Sequence, residues 1–341
     1  MPQTTPQAGT SATTQPDIPQ RQLDLLLTSA GIVPVDGIGW IEVTGSDRVR
    51  WLNGMVTNSV QALAPGAGCY NFFLNAQGRI QGDAYIFAEP DHLLLETGLP
   101  EVASLLAMLD RFIIMDDVEL RDISSRNKGL LLAGPRASEL LTSLNLLPPA
   151  NTLSLTHIPW RSHLLTVIRA YSPLVPRFEI WADNPALTEL SAHLSAHGIA
   201  ECGGAALDLL RICEGTPLFG VDIRDRDLPQ ETGANRALHF SKGCYLGQEI
   251  VERIHSRGNV HRTFHAFHLQ GAGASPGLAL SVDDKPIGEL TSVAVVPIAG
   301  GEIQIGLGYI RREALAHAKS IHYDGGIAQP ASLPFDRAKI L

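Results

Sequence analysis

Cysteine is scarce and scattered in this sequence. Only four cysteines occur among 341 residues, at positions 69, 202, 213 and 244, and no two of them form a C-x-x-C pair. This spacing excludes a disulfide framework, a zinc-finger array and an iron–sulfur cluster held permanently by neighbouring thiolates. It is typical of a protein that works in a reducing compartment.

Long apolar runs and N-terminal basic residues are also missing. No apolar stretch reaches the roughly 20 residues that a membrane-spanning helix needs. The first twenty residues are rich in Thr, Gln and Pro and contain neither Lys nor Arg, which excludes a secretory signal and a mitochondrial presequence. We therefore expect residues 1–20 to form a disordered tail, and the protein to be cytoplasmic without membrane contact.

Positive charge is in deficit. The 26 Lys and Arg residues face 35 Asp and Glu residues, a net charge of −9, so a broad basic face for direct nucleic-acid binding is disfavoured. Apolar residues, in contrast, make up 45% of the chain, enough for a sizeable core. The length suits two domains, or three if one is small. A monomer is expected, because no segment reads as an exposed apolar helix.

Hydrophobic periodicity predicts an α+β fold over residues 21–260, in two sub-domains, followed by a small β-barrel over residues 261–341. Cys69–Leu74 and Ile80–Ala88 read as two strands of a hairpin. Ala205–Glu214 reads as a helix that ends at a glycine. Beyond residue 260 the pattern changes to short strands punctuated by Gly and Pro, with almost no helix, which favours a barrel.

The segment KGCYLGQE, residues 242–249, concentrates chemistry-bearing side chains. It places Cys244 next to Lys242, on glycine-containing backbone, just before a predicted helix. A nearby cation and a helix N-terminus both favour the thiolate form of a cysteine. Gln248 lies one turn beyond Cys244, where its amide is able to bond to a group held by the sulfur. We therefore predict a catalytic group formed by Cys244, Lys242 and Gln248.

A structural interpretation of Cys244 stays open, since most isolated cysteines are small buried apolar residues. The glycines around it argue against that interpretation, because flexible backbone is costly unless the geometry demands it. The other three cysteines lack such surroundings. Cys213 lies on an apolar helix face, Cys69 opens a strand, and Cys202 lies in a loop.

The run KGCYLGQEIVERIHSRGNVHR and the upstream PQETGAN closely resemble the signature of the YgfZ family, whose hallmark is K-G-C-[Y/F]-x-G-Q-E. Weaker similarity to the T-protein (aminomethyltransferase) superfamily covers most of the chain after residue 35. It is carried by VTGSDR at 43–48, NAQGRI at 75–80, LRICEG at 210–215 and IGLGY at 305–309. The resemblance implies domains arranged around a central tetrahydrofolate site.

The superfamily holds the pterin with an acidic residue on a strand and an arginine on a helix, and the matching residues here are Glu179 and Arg211. Asp83 lies near the aspartate that aminomethyltransferases use beside the reacting folate nitrogen. Carboxylates can accept paired N–H groups, and a guanidinium can bind a carboxylate or carbonyl. Where the transferases are expected to carry two acids, this sequence has Gly82 followed by Asp83. The alternative interpretations are a solvated helix residue for Arg211, a strand-edge charge for Glu179 and a turn-adjacent polar residue for Asp83.

No metal site is predicted. His261 and His265 are four residues apart, but in the expected strand that spacing holds them too far apart for one ion. The arginines Arg253, Arg257 and Arg262 are either solvated charges or a basic patch for the glutamate tail of folate or for a partner.

Three functions are compatible with these patterns. The first, which we favour, is a folate-binding accessory factor that uses Cys244 to assemble or repair iron–sulfur enzymes, including tRNA-modifying ones. The second is a folate-dependent methyl or aminomethyl transferase acting on a small molecule with help from Asp83. The third is a binding module without chemistry that contacts tRNA-modifying enzymes. The first is favoured because the most specific motif is built around a cysteine.

Overall fold

The computed structural model describes residues 18–258, 260–298, 301–317 and 320–335. Most of the predicted tail and the final residues of the predicted barrel lie outside these ranges. Ile18, Pro19 and Gln20, predicted to belong to the tail, form the first turn of a helix whose Leu23, Leu26 and Leu27 are buried. Burial of that apolar face stabilises the helix, although the sequence before it is polar.

Eight helices and seventeen strands are found in the described part of the chain. The helices are α1 Ile18–Thr28, α2 Arg48–Asn53, α3 Val102–Asp110, α4 Ala137–Ser143, α5 Asn184–Ala196, α6 Gly204–Glu214, α7 Gln248–Arg257 and α8 Arg312–His317. The strands are β1 Gly31–Val35, β2 Ile38–Thr44, β3 Gly68–Leu74, β4 Ile80–Ala88, β5 Leu93–Gly98, β6 Glu119–Asp122, β7 Lys128–Ala133, β8 Ser154–Trp160, β9 His163–Arg169, β10 Arg177–Ala182, β11 Ala200–Glu201, β12 Arg262–Gly271, β13 Ala279–Val282, β14 Lys285–Ile298, β15 Gly301–Arg311, β16 Ile321–Tyr323 and β17 Gly326–Ala331.

These strands form two open sheets and one barrel. The first sheet has the order β3-β4-β5-β2-β6, and the second has the order β11-β1-β7-β10-β9-β8. The barrel closes through β12-β15-β14-β13-β16-β17. The α+β fold with a C-terminal β-barrel predicted from the sequence is therefore confirmed, and so is the β3–β4 hairpin, which pairs in antiparallel register.

The two open sheets pack against each other through large aromatic side chains. Trp40 of the first sheet meets Trp181 of the second edge to face, with ring centroids 5.2 Å apart. Phe87, Leu155 and Ile168 complete this buried cluster. Aromatic pairs in this geometry contribute beyond their buried area, so the cluster fixes how the sheets face each other. The candidate site is lined by residues of β3 from the first sheet and of the β9–β10 loop from the second.

A second core joins the barrel to the second sheet. Helices α1 and α6 lie between them, and their apolar faces pack with barrel residues such as Phe264 and Tyr309. Helix α6 ends at Gly215, which adopts a left-handed conformation with φ of 69°, as its sequence predicts. A side chain there would also collide with Leu333.

Two strands escaped sequence prediction because each contains a proline. Strand β1 contains Pro34, which has no backbone N–H. The strand pairs with β11 only through Gly31 and Ile32, so the proline removes no hydrogen bond from that pairing. Strand β8 contains Pro159 and lies at the edge of its sheet. Proline is tolerated at such edge positions, so its presence hid both strands. Helix α8 lies within the barrel region, where the sequence did not predict a helix.

Candidate functional site

A cavity of about 410 Å³, here called the tyrosine cavity, opens where the first sheet, the β9–β10 loop and the residues before α7 converge. Its lining residues are Asn58, Gly68, Cys69, Tyr70, Thr152, Leu153, Tyr171, Ser172 and Arg236. This volume lies within the range of about 300–1,000 Å³ that small-molecule sites occupy. The cavity therefore has room for a cofactor-sized ligand.

Arg236 is the central basic residue of this cavity. Its guanidinium carbon lies 4.0 Å from the ring centroid of Tyr171 and 4.7 Å from that of Tyr70. The backbone carbonyl of Arg236 accepts a hydrogen bond from the Asn58 amide at 2.9 Å, which fixes this segment. The Nε atom is buried and has no hydrogen-bond partner. A buried donor without a partner is costly, so this nitrogen is available to a ligand.

Asp83, on β4, is half-buried beside the same tyrosine. The Tyr70 hydroxyl donates to its Oδ2 at 2.5 Å. Burial raises the pKa of Asp83 to about 6, against the opposing effects of the Tyr70 hydrogen bond and of the Arg236 charge. An acid with such a pKa can hold or release a proton close to neutral pH. The structure thus places predicted residue Asp83 in direct contact with Tyr70, which lines the cavity.

Glu179, on β10, is buried nearby at the contact of the two sheets. Its two oxygens accept hydrogen bonds from Arg177 at 3.1 Å and from the Trp181 indole at 3.3 Å. Across the contact lies the buried Glu96. Burial first, and the negative charge of Glu179 second, raise the pKa of Glu96 well above its usual range. The protonated form of Glu96 is therefore favoured.

Arg211, predicted to bind folate, forms hydrogen bonds and ion pairs with other residues of the protein. Its guanidinium donates to Asp208 at 2.7 Å, to the Thr216 carbonyl at 2.9 Å, to Asp222 at 2.6 Å and to Ser292 at 3.1 Å. These bonds connect α6 to the following loop and to barrel strand β14. The structure therefore does not bring Arg211 together with Asp83. Arg236 is the arginine that faces the tyrosine cavity.

The KGCYLGQE segment forms a loop on the surface that ends at the start of α7. Cys244 is exposed. Lys242 points inward and donates to three backbone carbonyls, those of Asn53, Val56 and Asn58, at 2.8, 2.7 and 2.6 Å. Its ammonium group thus anchors the loop to residues 53–58.

The predicted partners of Cys244 are therefore engaged elsewhere. Burial lowers the pKa of Lys242 to about 8, and the thiol whose charge it senses is Cys69. The Gln248 Oε1 accepts the Tyr245 N–H at 3.0 Å, which shapes the loop. Gly247, with φ of 82°, sits so close to the Asn75 carbonyl that a side chain would collide with it. The side chains of Lys242 and Gln248 thus stabilise the conformation of the loop, and the Cys244 thiol on this loop is exposed.

A larger depression of about 640 Å³ is lined by Arg79, Arg226, Glu231 and Arg262. Arg262 is paired with Asp227 and, at 3.3 Å, with Glu231. Arg226 is paired with Glu289 at 3.1 Å. These ion pairs balance most of the charge, so the depression is not a strongly basic patch. Arg253 and Arg257 are exposed on α7.

Over the described ranges, no group of three or more His, Cys, Asp or Glu side chains is arranged to hold a metal ion. Among those same residues, no helix is long and apolar enough to cross a membrane.

The fold, with its mixed α/β layers and closed C-terminal barrel, is that of a T-protein-like protein. The chain belongs to the family described as the GCVT N-terminal domain, whose model matches residues 12–242. The match covers both open sheets and ends within the Cys244 loop.

Known relatives agree with this assignment. A chloroplastic protein of Arabidopsis thaliana, provisionally named a transferase, is 26% identical over 302 residues, which cover 88% of this chain and 69% of that protein. An aminomethyltransferase of Nostoc sp. is 26% identical over 300 residues, which cover 82% of this chain and 77% of that enzyme. The solved structure of the glycine cleavage system aminomethyltransferase T from Bartonella henselae superposes with a TM-score of 0.81 at 19% identity. That superposition covers 94% of this chain and 90% of the solved one, and it shows the shared fold.

Sequence reasoning missed Arg236, Tyr70 and Tyr171. Arg236 directly follows the PQETGAN motif, so this motif is a sequence signal that lies next to Arg236. The two tyrosines lie about 100 positions apart along the chain, and nothing local to either one signals that both contact the same guanidinium.

Proposed function

We propose that this protein binds tetrahydrofolate in the tyrosine cavity and is a YgfZ-type accessory factor for iron–sulfur enzymes in the cytoplasm. The observation that carries the folate proposal is Arg236, stacked between Tyr70 and Tyr171 with a buried Nε that has no partner. Planar, partly polar rings suit such a site, because tyrosine faces and a guanidinium plane stack on them.

The residues around Arg236 fit the polar edge of a pterin. Asp83 is able to accept a ring N–H or, when protonated, to donate to a ring nitrogen. The Nε of Arg177, buried beside Glu179, is another donor without a partner. Bound tetrahydrofolate would supply a carrier for one-carbon units. The protein groups would orient it and control the protonation of Asp83.

Cys244 supports the accessory role. The thiol is exposed on a loop that Lys242 and Gly247 hold in one conformation, so it is accessible to another protein. An exposed thiolate is able to ligate iron transiently. We propose iron–sulfur client enzymes, including tRNA-modifying ones, as its partners.

A second candidate is a folate-dependent aminomethyl or methyl transferase acting on a small molecule. The position of Asp83 favours it, since an acid with a pKa of about 6 in contact with Tyr70 of the cavity suits proton transfer to a folate nitrogen. The relatives that are named aminomethyltransferases support the same alternative.

The two functions are separated by replacing Cys244. We would delete the gene, measure the activity of a labile iron–sulfur enzyme that thiolates tRNA, and restore either the wild type or Cys244→Ala. Cys202→Ala is the matched control, because that thiol is buried. We expect the wild type and the control to restore thiolation and Cys244→Ala to fail.

Equal rescue by Cys244→Ala would refute the thiol-dependent role. If Asp83→Asn then abolished function, the transferase would become the better description. Normal thiolation in the deletion strain would refute the link to iron–sulfur enzymes altogether.

A further inference from the structure

A second cavity, of about 180 Å³, adjoins the tyrosine cavity and is here called the glutamate cavity. Its lining residues include Tyr171, Glu214, Thr216, Thr232, Arg236 and Leu333. Tyr171 and Arg236 line both cavities. The end of α6, the β9–β10 loop, the residues before α7 and the C-terminal segment thus enclose one small chamber beside the proposed folate site.

Glu214 is the unusual group of this cavity. Its residue is only 5% exposed, yet among the described residues no basic side chain forms an ion pair with it. Burial raises the pKa of Glu214, and the charges of Arg177 and Arg236 oppose that rise without forming an ion pair with it. Arg177 pairs with Glu179 instead. A buried carboxylate without a cationic partner is costly. Such a cost indicates a function when the group faces a cavity.

The hydrogen bonds of Glu214 leave one oxygen available. The Ser172 hydroxyl and, at 3.5 Å, the Leu174 N–H both donate to Oε1. Among the residues that the structure describes, none donates to Oε2. The side chain is therefore held in place through one oxygen, and the other is free to accept a bond from a ligand.

We propose that the glutamate cavity binds a small zwitterion of the α-amino-acid type, with its ammonium on Glu214 and its carboxylate on Arg236. The two side chains carry opposite charges and line the same chamber without pairing with each other. A ligand with one cationic and one anionic end satisfies both at once.

The size of the chamber limits the ligand. At roughly 30 Å³ for each water-sized group, 180 Å³ holds about six such groups. Glycine and alanine fit within this volume. The inference rests on the proposed function only in placing this small amine beside a one-carbon carrier.

Isothermal titration calorimetry on the full chain tests the proposal, with glycine and alanine as probes. Acetate and methylammonium are the controls that carry only one of the two charges. We expect either amino acid to bind at least about tenfold more tightly than acetate or methylammonium, because a charged hydrogen bond contributes about 1.5–3 kcal/mol. Glu214→Gln should weaken amino-acid binding by about tenfold or more. Glu139→Gln, on an exposed ion pair of α4, should leave it unchanged.

Three results would overturn the proposal: no binding of either amino acid at millimolar concentration, acetate binding as tightly as glycine, or full binding by Glu214→Gln. The comparison of probes on the wild type decides the matter even if Glu214→Gln does not fold. Tetrahydrofolate is titrated separately. Folate binding without amino-acid binding would refute this inference alone, and the reverse would refute the proposed folate site alone.

Discussion

The Cys244 loop and the tyrosine cavity are built in opposite ways. The loop comes from one continuous stretch, residues 242–249, and its chemical group is exposed. The cavity takes Tyr70 from β3, Tyr171 from the β9–β10 loop and Arg236 from the residues before α7, and it buries their polar atoms. A local sequence motif therefore predicts the Cys244 loop, whereas the tyrosine cavity forms only when distant parts of the chain fold together. The two regions should also respond differently to substitution.

The largest effect is expected at the cavity. Arg236→Ala removes the stacked guanidinium and its unpartnered donor, so the affinity for tetrahydrofolate should fall about a hundredfold, or about 3 kcal/mol. Equilibrium titration of tetrahydrofolate measures this. Arg236→Lys should recover only part of the loss, because an ammonium keeps the charge without the planar stacking. Arg312→Ala, at an exposed arginine of α8, is the control, and unchanged affinity in Arg236→Ala would exclude this folate site.

The next largest effect is expected where the loop is anchored. Lys242→Met leaves three backbone carbonyls without their donor, which should lower the free energy of unfolding by about 2–3 kcal/mol. Denaturant unfolding measures this change as a lower midpoint. Lys285→Met, at an exposed lysine of β14, should unfold like the wild type. A wild-type midpoint for Lys242→Met would mean that the loop does not depend on this anchor.

The smallest effect is a dependence on pH. Burial raises the pKa of Asp83 from 3.8 to about 6. Between these values the folded state binds more protons than the unfolded state, so the stabilisation is complete below pH 3.8 and is lost as the pH rises through 6. Asp83→Asn resembles the protonated acid and should be more stable than the wild type at pH 7, by on the order of 2 kcal/mol. The difference should vanish near pH 4.

Unfolding curves of both proteins across this pH range test the assignment. Asp225→Asn, at an exposed aspartate, supplies the reference for an ordinary carboxyl group. A difference between Asp83→Asn and the wild type that stays constant with pH would show that Asp83 does not titrate as described.

The fold was largely predictable from the sequence because its patterns are local. Alternation predicted the β3–β4 hairpin, and the apolar helix ending in a glycine predicted α6 and Gly215. Strands β1 and β8 were missed because proline ordinarily argues against a strand, and only the sheet order shows that each proline lies where no ladder bond is lost.

The site was predictable in part. Asp83 is bonded to Tyr70 of the tyrosine cavity, and the folate-binding roles of Asp83 and Glu179 stay predictions. Arg211 lies away from this cavity, because its position on α6 places it against Asp222 and the barrel. Lys242 belongs to the sequence motif around Cys244, but its side chain is directed toward the backbone of residues 53–58 and not toward Cys244. The direction of a long side chain depends on tertiary acceptors that a sequence does not display.

The anchoring of the Cys244 loop has a consequence for the order of folding. The carbonyls that hold Lys242 lie 184 to 189 residues earlier in the chain. Contacts this distant in sequence form late, because a long stretch of chain must be closed before they gain any stability. During synthesis, residues 53–58 leave the ribosome long before their partner exists. The thiol therefore reaches its final setting only after most of the protein has been made, and an incomplete chain cannot present it in that setting.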